Sequence, residues 1–222
     1  MRTLAVLPIK SFGLAKQRLG EALPSAPRRA LAEAMFTDVL TALRRSRRVD
    51  AVLVVTGDHL AQQLAGSQGA TVLEDPREVG QSEATALGIA RARELGYPRV
   101  LLVPGDTPAL DPDELDALLA REEPGVVIVP DRHGTGTNAL LLAPPEAMEP
   151  GFGPGSLERH RERAAAAGVP HEVIEVPTLA LDIDTGDDLA ALHERLDTIH
   201  GGAAHTRGLL IRLAHNTEAM AG

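Results

Sequence analysis

Short apolar runs alternate along the chain with longer stretches in which Ala and Leu recur among Arg and Glu. TLAVLP (3–8), AVLVVT (51–56), TVLE (71–74), RVLLVP (99–104), VVIVP (126–130), ALLLA (139–143) and HEVIEVP (171–177) read as strands. Helical spacing fills 26–45, a short segment from Asp58, and then 82–95, 111–121, 155–168 and 185–196. RVLLVP is apolar throughout instead of alternating, which suits a strand covered on both faces of a parallel sheet. The order of elements predicts an α/β fold: a single Rossmann-like domain with a mostly parallel sheet flanked by helices and joined by right-handed crossovers. Two helix starts are written in capping residues. Asp111, Pro112 and Glu114 have the form of a capping box, and Thr185 with Asp188 forms another such pair. Past Gly201, GGAAHT reads as a linker and RGLLIRLAH as a short docked helix, within an otherwise flexible tail.

Composition narrows the partners. The 222 residues suffice for one large α/β domain, and with three Phe, one Tyr and no Trp its core must be aliphatic. A net charge of -9 argues against nucleic acid, which needs a basic stripe. The absence of Cys excludes disulfides and thiolate metal sites and is compatible with the cytosol. LAVLPI is too short for a signal-peptide core, and no run has the length to span a bilayer. The expectation is a cytoplasmic protein without a membrane partner; oligomeric state leaves no readable pattern.

In a doubly wound sheet, ligands sit beyond the carboxyl ends of the strands. The first strand runs into PIKSFGLAKQRLG (8–20), where Lys10, Lys16 and Arg18 are either a solvated basic loop or a grip on phosphates. No Walker loop or dinucleotide fingerprint is present. RVLLVPGDTPAL ends a buried strand in Asp106, which is a turn residue or, the better reading, a ligand for Mg²⁺. In LDIDTGDDL, Asp182 and Asp184 are two apart on an extended stretch and so share a face, while Asp187 and Asp188 fit a helix N-terminus. DRHGTGTNALLL (131–142) places eight small or polar residues between two strands. Its backbone N–H groups and threonine hydroxyls can cradle an anion. FGPGSLERH sets Gly153, Gly155 and Ser156 at a helix start, a second anion site by dipole. Together these features suggest a phosphorylated substrate beside a metal-bound nucleotide. His133 and His160 fall in the two loops, either touching phosphate or lying at the surface.

LPIKSFGLAKQRL, PGDTP, DRHGTGTNALLL, FGPGSLERH and LDIDTGDDL, in this order, resemble the guanylyltransferases of deazaflavin coenzyme F420 biosynthesis. These act on 2-phospho-L-lactate or phosphoenolpyruvate. The resemblance covers residues 1 to about 198 and implies a nucleotidyltransferase domain over 1–198, with 199–222 as a non-catalytic tail. It implies GTP as co-substrate and Mg²⁺ as cofactor, with the phosphorylated acid held by Thr137, Gly153 and Ser156. The metal would fall on Asp106, Asp182 and Asp184. Lys10, Lys16 and Arg18 would hold the triphosphate, with Lys16 and Asp106 nearest the chemistry. The family commonly has Gly-Leu-Asn where this chain reads GQSEA (80–84), so Ser82 takes the nucleotide-binding Asn position. Two rival readings are another small-acceptor nucleotidyltransferase, such as a cytidylyltransferase, and a non-catalytic nucleotide sensor. The first is disfavoured by the missing Gly-Gly after strand one, the second by retention of both acidic clusters.

Overall fold

The computed structural model describes residues 1–21, 23–75, 77, 80–199 and 202–221, leaving aside the side chains of 21 and 216–221. Seven strands form one sheet: β1 (Thr3–Pro8), β2 (Ala51–Thr56), β3 (Thr71–Glu74), β4 (Arg99–Leu102), β5 (Gly125–Pro130), β6 (Thr137–Ala143) and β7 (His171–Val173). Their spatial order is β3-β2-β1-β4-β6-β5-β7. β6 runs antiparallel to both β4 and β5, and every other pairing is parallel. The helices are α1 (Ser25–Arg45), α2 (His59–Ser67), α3 (Gln81–Glu94), α4 (Pro112–Leu119), α5 (Ser156–Ala166), α6 (Gly186–Thr198) and α7 (Ala204–Ala221).

The sheet is buried on both faces, as its unalternated strands require. Ala5 and Leu7 point into a cluster with Phe36, Val39 and Leu40 of α1 and Leu115 of α4. Leu4 and Val6 point the other way, to Ala84 and Ile89 of α3 and Ala164 of α5. Period-two alternation thus sorts one apolar run into two cores. Gly88 lets α3 approach closely, since a Cβ there would collide with Val6. A third cluster joins Leu31 and Met35 of α1 to Leu192 of α6 and Leu209 and Leu210 of α7.

Two local expectations change. Asp111 caps α4 by accepting from Asp113 and Glu114 N–H groups, but Glu114 does not reach back to complete the box. Its carboxylate accepts instead from the N–H and hydroxyl of Thr178, tying α4 to the segment after β7. The GGAAHT stretch is also more than a linker: Ala203 and Thr206 are buried. There the buried carboxylate of Asp38, in α1, accepts from the N–H groups of His205 and Thr206 at 3.0 and 2.8 Å. It caps α7 from another helix, supplying acceptors that the helix's own sequence lacks. Asp188 and Thr185 do form a full reciprocal box on α6. Among the described residues, no helix is long and apolar enough to cross a membrane.

Candidate active site

The chain winds outward from β1 in two directions, to β2 and β3 on one side and to β4 on the other. A crevice forms outside the carboxyl ends of β1 and β4 at such a switch point. Here it is a cavity of about 330 Å³ lined by Ile9, Lys10, Phe12 and Lys16 from the first loop and by Gly105 and Asp106 after β4. Met35 and Phe36 of α1, with Asp75, Gly80 and Gln81 opposite, complete much of its wall. At Gly105 a Cβ would meet the end of the Ile9 side chain, which would have to move aside.

The opening loop is held by Asp58, a residue that the sequence marks only as the start of a short helix. Asp58 Oδ1 accepts from Leu60 and Ala61 N–H groups at the start of α2. Its Oδ2 accepts from Phe12 N–H and Ser11 Oγ, at 3.0 and 3.2 Å. These hydrogen bonds to the charged form hold the Asp58 carboxyl below its usual range, against the opposing effect of burial. Further along the loop, Lys16 has a φ of 59°. That left-handed conformation costs an L-residue roughly 1–2 kcal/mol. It aims Nζ between two carboxylates, pairing with Asp106 Oδ2 and lying 2.8 Å from Asp184 Oδ1. Burial pushes the ammonium pKa down, but the charges and hydrogen bonds of Asp106 and Asp184 more than reverse this and raise it. Lys16 stays charged.

The two acidic stretches therefore meet. Ile183 N–H donates to the carbonyl of Asp106 at 3.2 Å, bringing the 181–184 segment against the turn after β4. Asp182 is pushed up to about 6, first by burial and then by the negative charge of Asp106, with Asp184 adding to it. Asp106 Oδ1 is buried without a hydrogen-bond partner. Asp106 and Asp184 share the Lys16 ammonium, Asp182 bonds instead to a neutral amide, and Asp106 keeps an unused oxygen. All-oxygen donors of this kind suit a hard divalent cation. Among the described residues, no three Asp, Glu or His side chains are already disposed around a common metal position; the Lys16 ammonium stands between two of the acids.

Lys10 lies on the cavity wall, whereas Arg18 is three-quarters exposed and lies 3.9 Å from Asp184 at a smaller adjoining recess. Ser82 stands in the first turn of α3, next to the lining residues Gly80 and Gln81.

Thr137, Gly153 and Ser156 gather elsewhere along the same edge of the sheet. Because β6 is antiparallel, its first residue, Thr137, emerges where β4 ends. The preceding loop is knitted to α5 by Leu157 N–H donating to Thr135 O at 3.2 Å. Gly153 and Gly155 take φ values of 114° and 68° to turn the chain into α5, and Ser156, at its start, is buried. The anion cradles are less open than expected. Asp131 takes the N–H groups of Gly134 and Thr135, while Ser156 N–H donates to Gly153 O. Hydroxyls thereby gain weight over backbone amides as ligand donors.

Asn138 links this region to the carboxylates, donating to Asp182 Oδ1 at 3.2 Å and to Leu179 O at 2.7 Å. Nothing in the sequence singles it out, since its partner lies 44 residues away. His133 is exposed, whereas His160 lies wholly buried within α5 and not at the surface.

A mostly parallel sheet with a basic loop and acidic turns at its switch point is an architecture suited to gripping phosphates. A solved chain from Desulfovibrio desulfuricans G20, assigned to the nucleotide-diphospho-sugar transferases, superposes with a TM-score of 0.77 at 18% identity, over 96% of this chain and 95% of that one. Residues 3–221 match the family described as "Guanylyl transferase CofC like". The chain belongs to this guanylyltransferase family. It is 56% identical to the phosphoenolpyruvate guanylyltransferase of Conexibacter woesei, over 96% of this chain and 97% of that protein. The phosphoenolpyruvate guanylyltransferase of Sphaerobacter thermophilus is 42% identical over 86% of this chain and 93% of its own. A 2-phospho-L-lactate guanylyltransferase from Methanothermobacter thermautotrophicus is 32% identical over 100% of this chain and 96% of its own.

Proposed function

We propose that this enzyme transfers GMP from GTP to phosphoenolpyruvate with release of pyrophosphate, in coenzyme F420 biosynthesis. The observation that carries the reading is the Lys16 ammonium between Asp106 and Asp184 at the mouth of the switch-point cavity. Cation and carboxylates are both needed where one polyanion attacks another. The acceptor assignment is supported by the high identity to the Conexibacter woesei protein.

GTP fits the cavity in parts: Ile9, Leu14 and Ala15 offer apolar surface, and Lys10 and Lys16 offer charge for the triphosphate. Thr137, Gly153 and Ser156 would hold the acid at the neighbouring sheet edge. Its phosphate has a second pKa near 6 and is mostly ionised at neutral pH, so no residue need act as general base. Lys16 neutralises charge on the nucleotide and orients it for attack at the α-phosphorus. Asp106, Asp182 and Asp184 would hold Mg²⁺, which when bound supplies charge neutralisation between the two anions. Asn138 keeps Asp182 oriented.

The test is Mg²⁺-dependent pyrophosphate release from GTP with phosphoenolpyruvate, 2-phospho-L-lactate and 3-phosphoglycerate in turn. Release with phosphoenolpyruvate above the others supports the proposal. Release with another acid reassigns the acceptor. Silence with all three, but turnover of CTP with a different phosphorylated acceptor, overturns it.

A further inference from the structure

His160 lies on α5 one turn beyond Ser156 and is fully buried. Its two ring nitrogens have different partners. Nε2 is 2.8 Å from the backbone N of Gly151, and Nδ1 is 2.9 Å from Oγ1 of Thr137. A backbone amide can only donate, so Nε2 must be the bare, accepting nitrogen. A ring protonated at Nε2, or at both nitrogens, would set N–H against N–H. The imidazole is therefore neutral with its proton on Nδ1, and Nδ1–H donates to Thr137. Burial, then the charges of Arg163 and Arg159, push its pKa down to about 4, in keeping with a neutral ring. The edge of the neighbouring Phe152 ring, 5.3 Å between centroids and inclined at 73°, packs against it.

A threonine hydroxyl has one hydrogen to give and two lone pairs to receive. Had His160 been the acceptor, Thr137 would have aimed its hydrogen at the ring and turned lone pairs toward any ligand. With the ring donating, the hydroxyl hydrogen is released for another partner. We infer that His160 is a positioning residue that fixes the Thr137 hydroxyl as a hydrogen-bond donor toward the anionic group of the acceptor. A phosphate or carboxylate ionised at neutral pH offers chiefly acceptors, so donor polarity is what the site needs. The inference rests on Thr137 lying in the acid site.

Two substitutions separate the halves of the His160 arrangement. His160→Gln carries an amide at the Nε2 position, able to accept from Gly151 but withdrawn from Thr137. His160→Asn carries one near Nδ1, able to donate to Thr137 but withdrawn from Gly151. The acid's apparent KM should rise roughly tenfold in His160→Gln, the scale of one hydrogen bond to a charged group, with the KM for GTP unchanged. His160→Asn should stay nearer wild type in KM although it disturbs the Gly151 turn. In a Thr137→Val background, His160→Gln should add no further loss. In the unsubstituted protein, ¹⁵N NMR of the ring, assigned by difference from His160→Gln, should find the proton on Nδ1. A proton on Nε2, or a full additional loss in the Thr137→Val background, overturns the inference and leaves the acid site standing. An unchanged acid KM in Thr137→Val alone removes the acid site, and the inference with it.

Discussion

The ammonium of Lys16 lies 2.8 Å from Asp184 Oδ1, although 168 residues separate the two in the chain. With Asp106 as its second partner, Lys16 joins the first βα loop to the turn after β4 and to the approach to α6. The left-handed backbone at Lys16 persists because these contacts hold it.

Lys16→Met is expected to lower kcat by a factor of about 10²–10³, the usual cost of removing one preorganised charge-stabilising group. It also leaves Asp106 without its cation, and Asp184 with only the more distant, exposed Arg18. The Lys16 side chain is only 7% exposed but that of Asp184 is 44% exposed. The stability loss is therefore placed at roughly 1–3 kcal/mol, below that of a fully buried pair. Thermal melts with and without Mg²⁺ check this: the divalent cation should raise the variant's Tm more than the wild type's.

Ser156→Ala is expected to raise the acid's apparent KM about tenfold, the scale of one charged hydrogen bond, while the KM for GTP stays fixed. Steady-state kinetics with each substrate varied in turn distinguishes the two. A shift in the GTP value instead would move Ser156 to the nucleotide side.

Acid should destabilise the protein through His160. The unfolded imidazole titrates near 6.5 and the folded one near about 4, so below 6.5 the unfolded chain binds more protons than the native state. The contribution is full above pH 6.5 and is lost as pH falls toward 4. It amounts to roughly 3 kcal/mol at the acid end. Arg159 and Arg163, which face the ring, stay charged throughout. Urea denaturation at pH 7 and pH 5 should show a drop in wild type that is smaller in His160→Gln.

Asp38→Ala removes the cap that α1 supplies to α7. A loss of about 1–2 kcal/mol is expected, the upper range for capping side chains. Limited proteolysis should then cut first near 202–206, and an unchanged cleavage pattern would contradict the capping role.

Much of the fold was legible because its signals are local. The runs 3–8, 51–56 and 71–74 are strands with the boundaries their apolar residues mark, and Thr185 with Asp188 writes its own helix start. Strand direction is not local. Nothing in ALLLA says that β6 runs against its neighbours, yet that reversal brings Thr137 to the edge where Asp106 stands. The candidate site was legible as residue types at strand ends, and the structure brings Lys16, Asp106 and Asp184 together. The supporting residues were not. Asn138 and His160 act through partners 44 and 23 residues distant, and Asp58 hid a tertiary role behind an ordinary helix cap. Glu114 shows the converse, a local capping pattern overridden by a tertiary partner, Thr178.

The central claim is that the acid's phosphate attacks the α-phosphorus of GTP at the Lys16–Asp106–Asp184 cluster. A ³¹P NMR time course on enzyme, GTP, phosphoenolpyruvate and Mg²⁺ tests it most directly. The expected result is pyrophosphate appearing in step with a new phosphoanhydride linking GMP to the acid, with Asp106→Asn folded but silent. GDP and inorganic phosphate as products, or an Asp106→Asn variant as active as wild type, would contradict it.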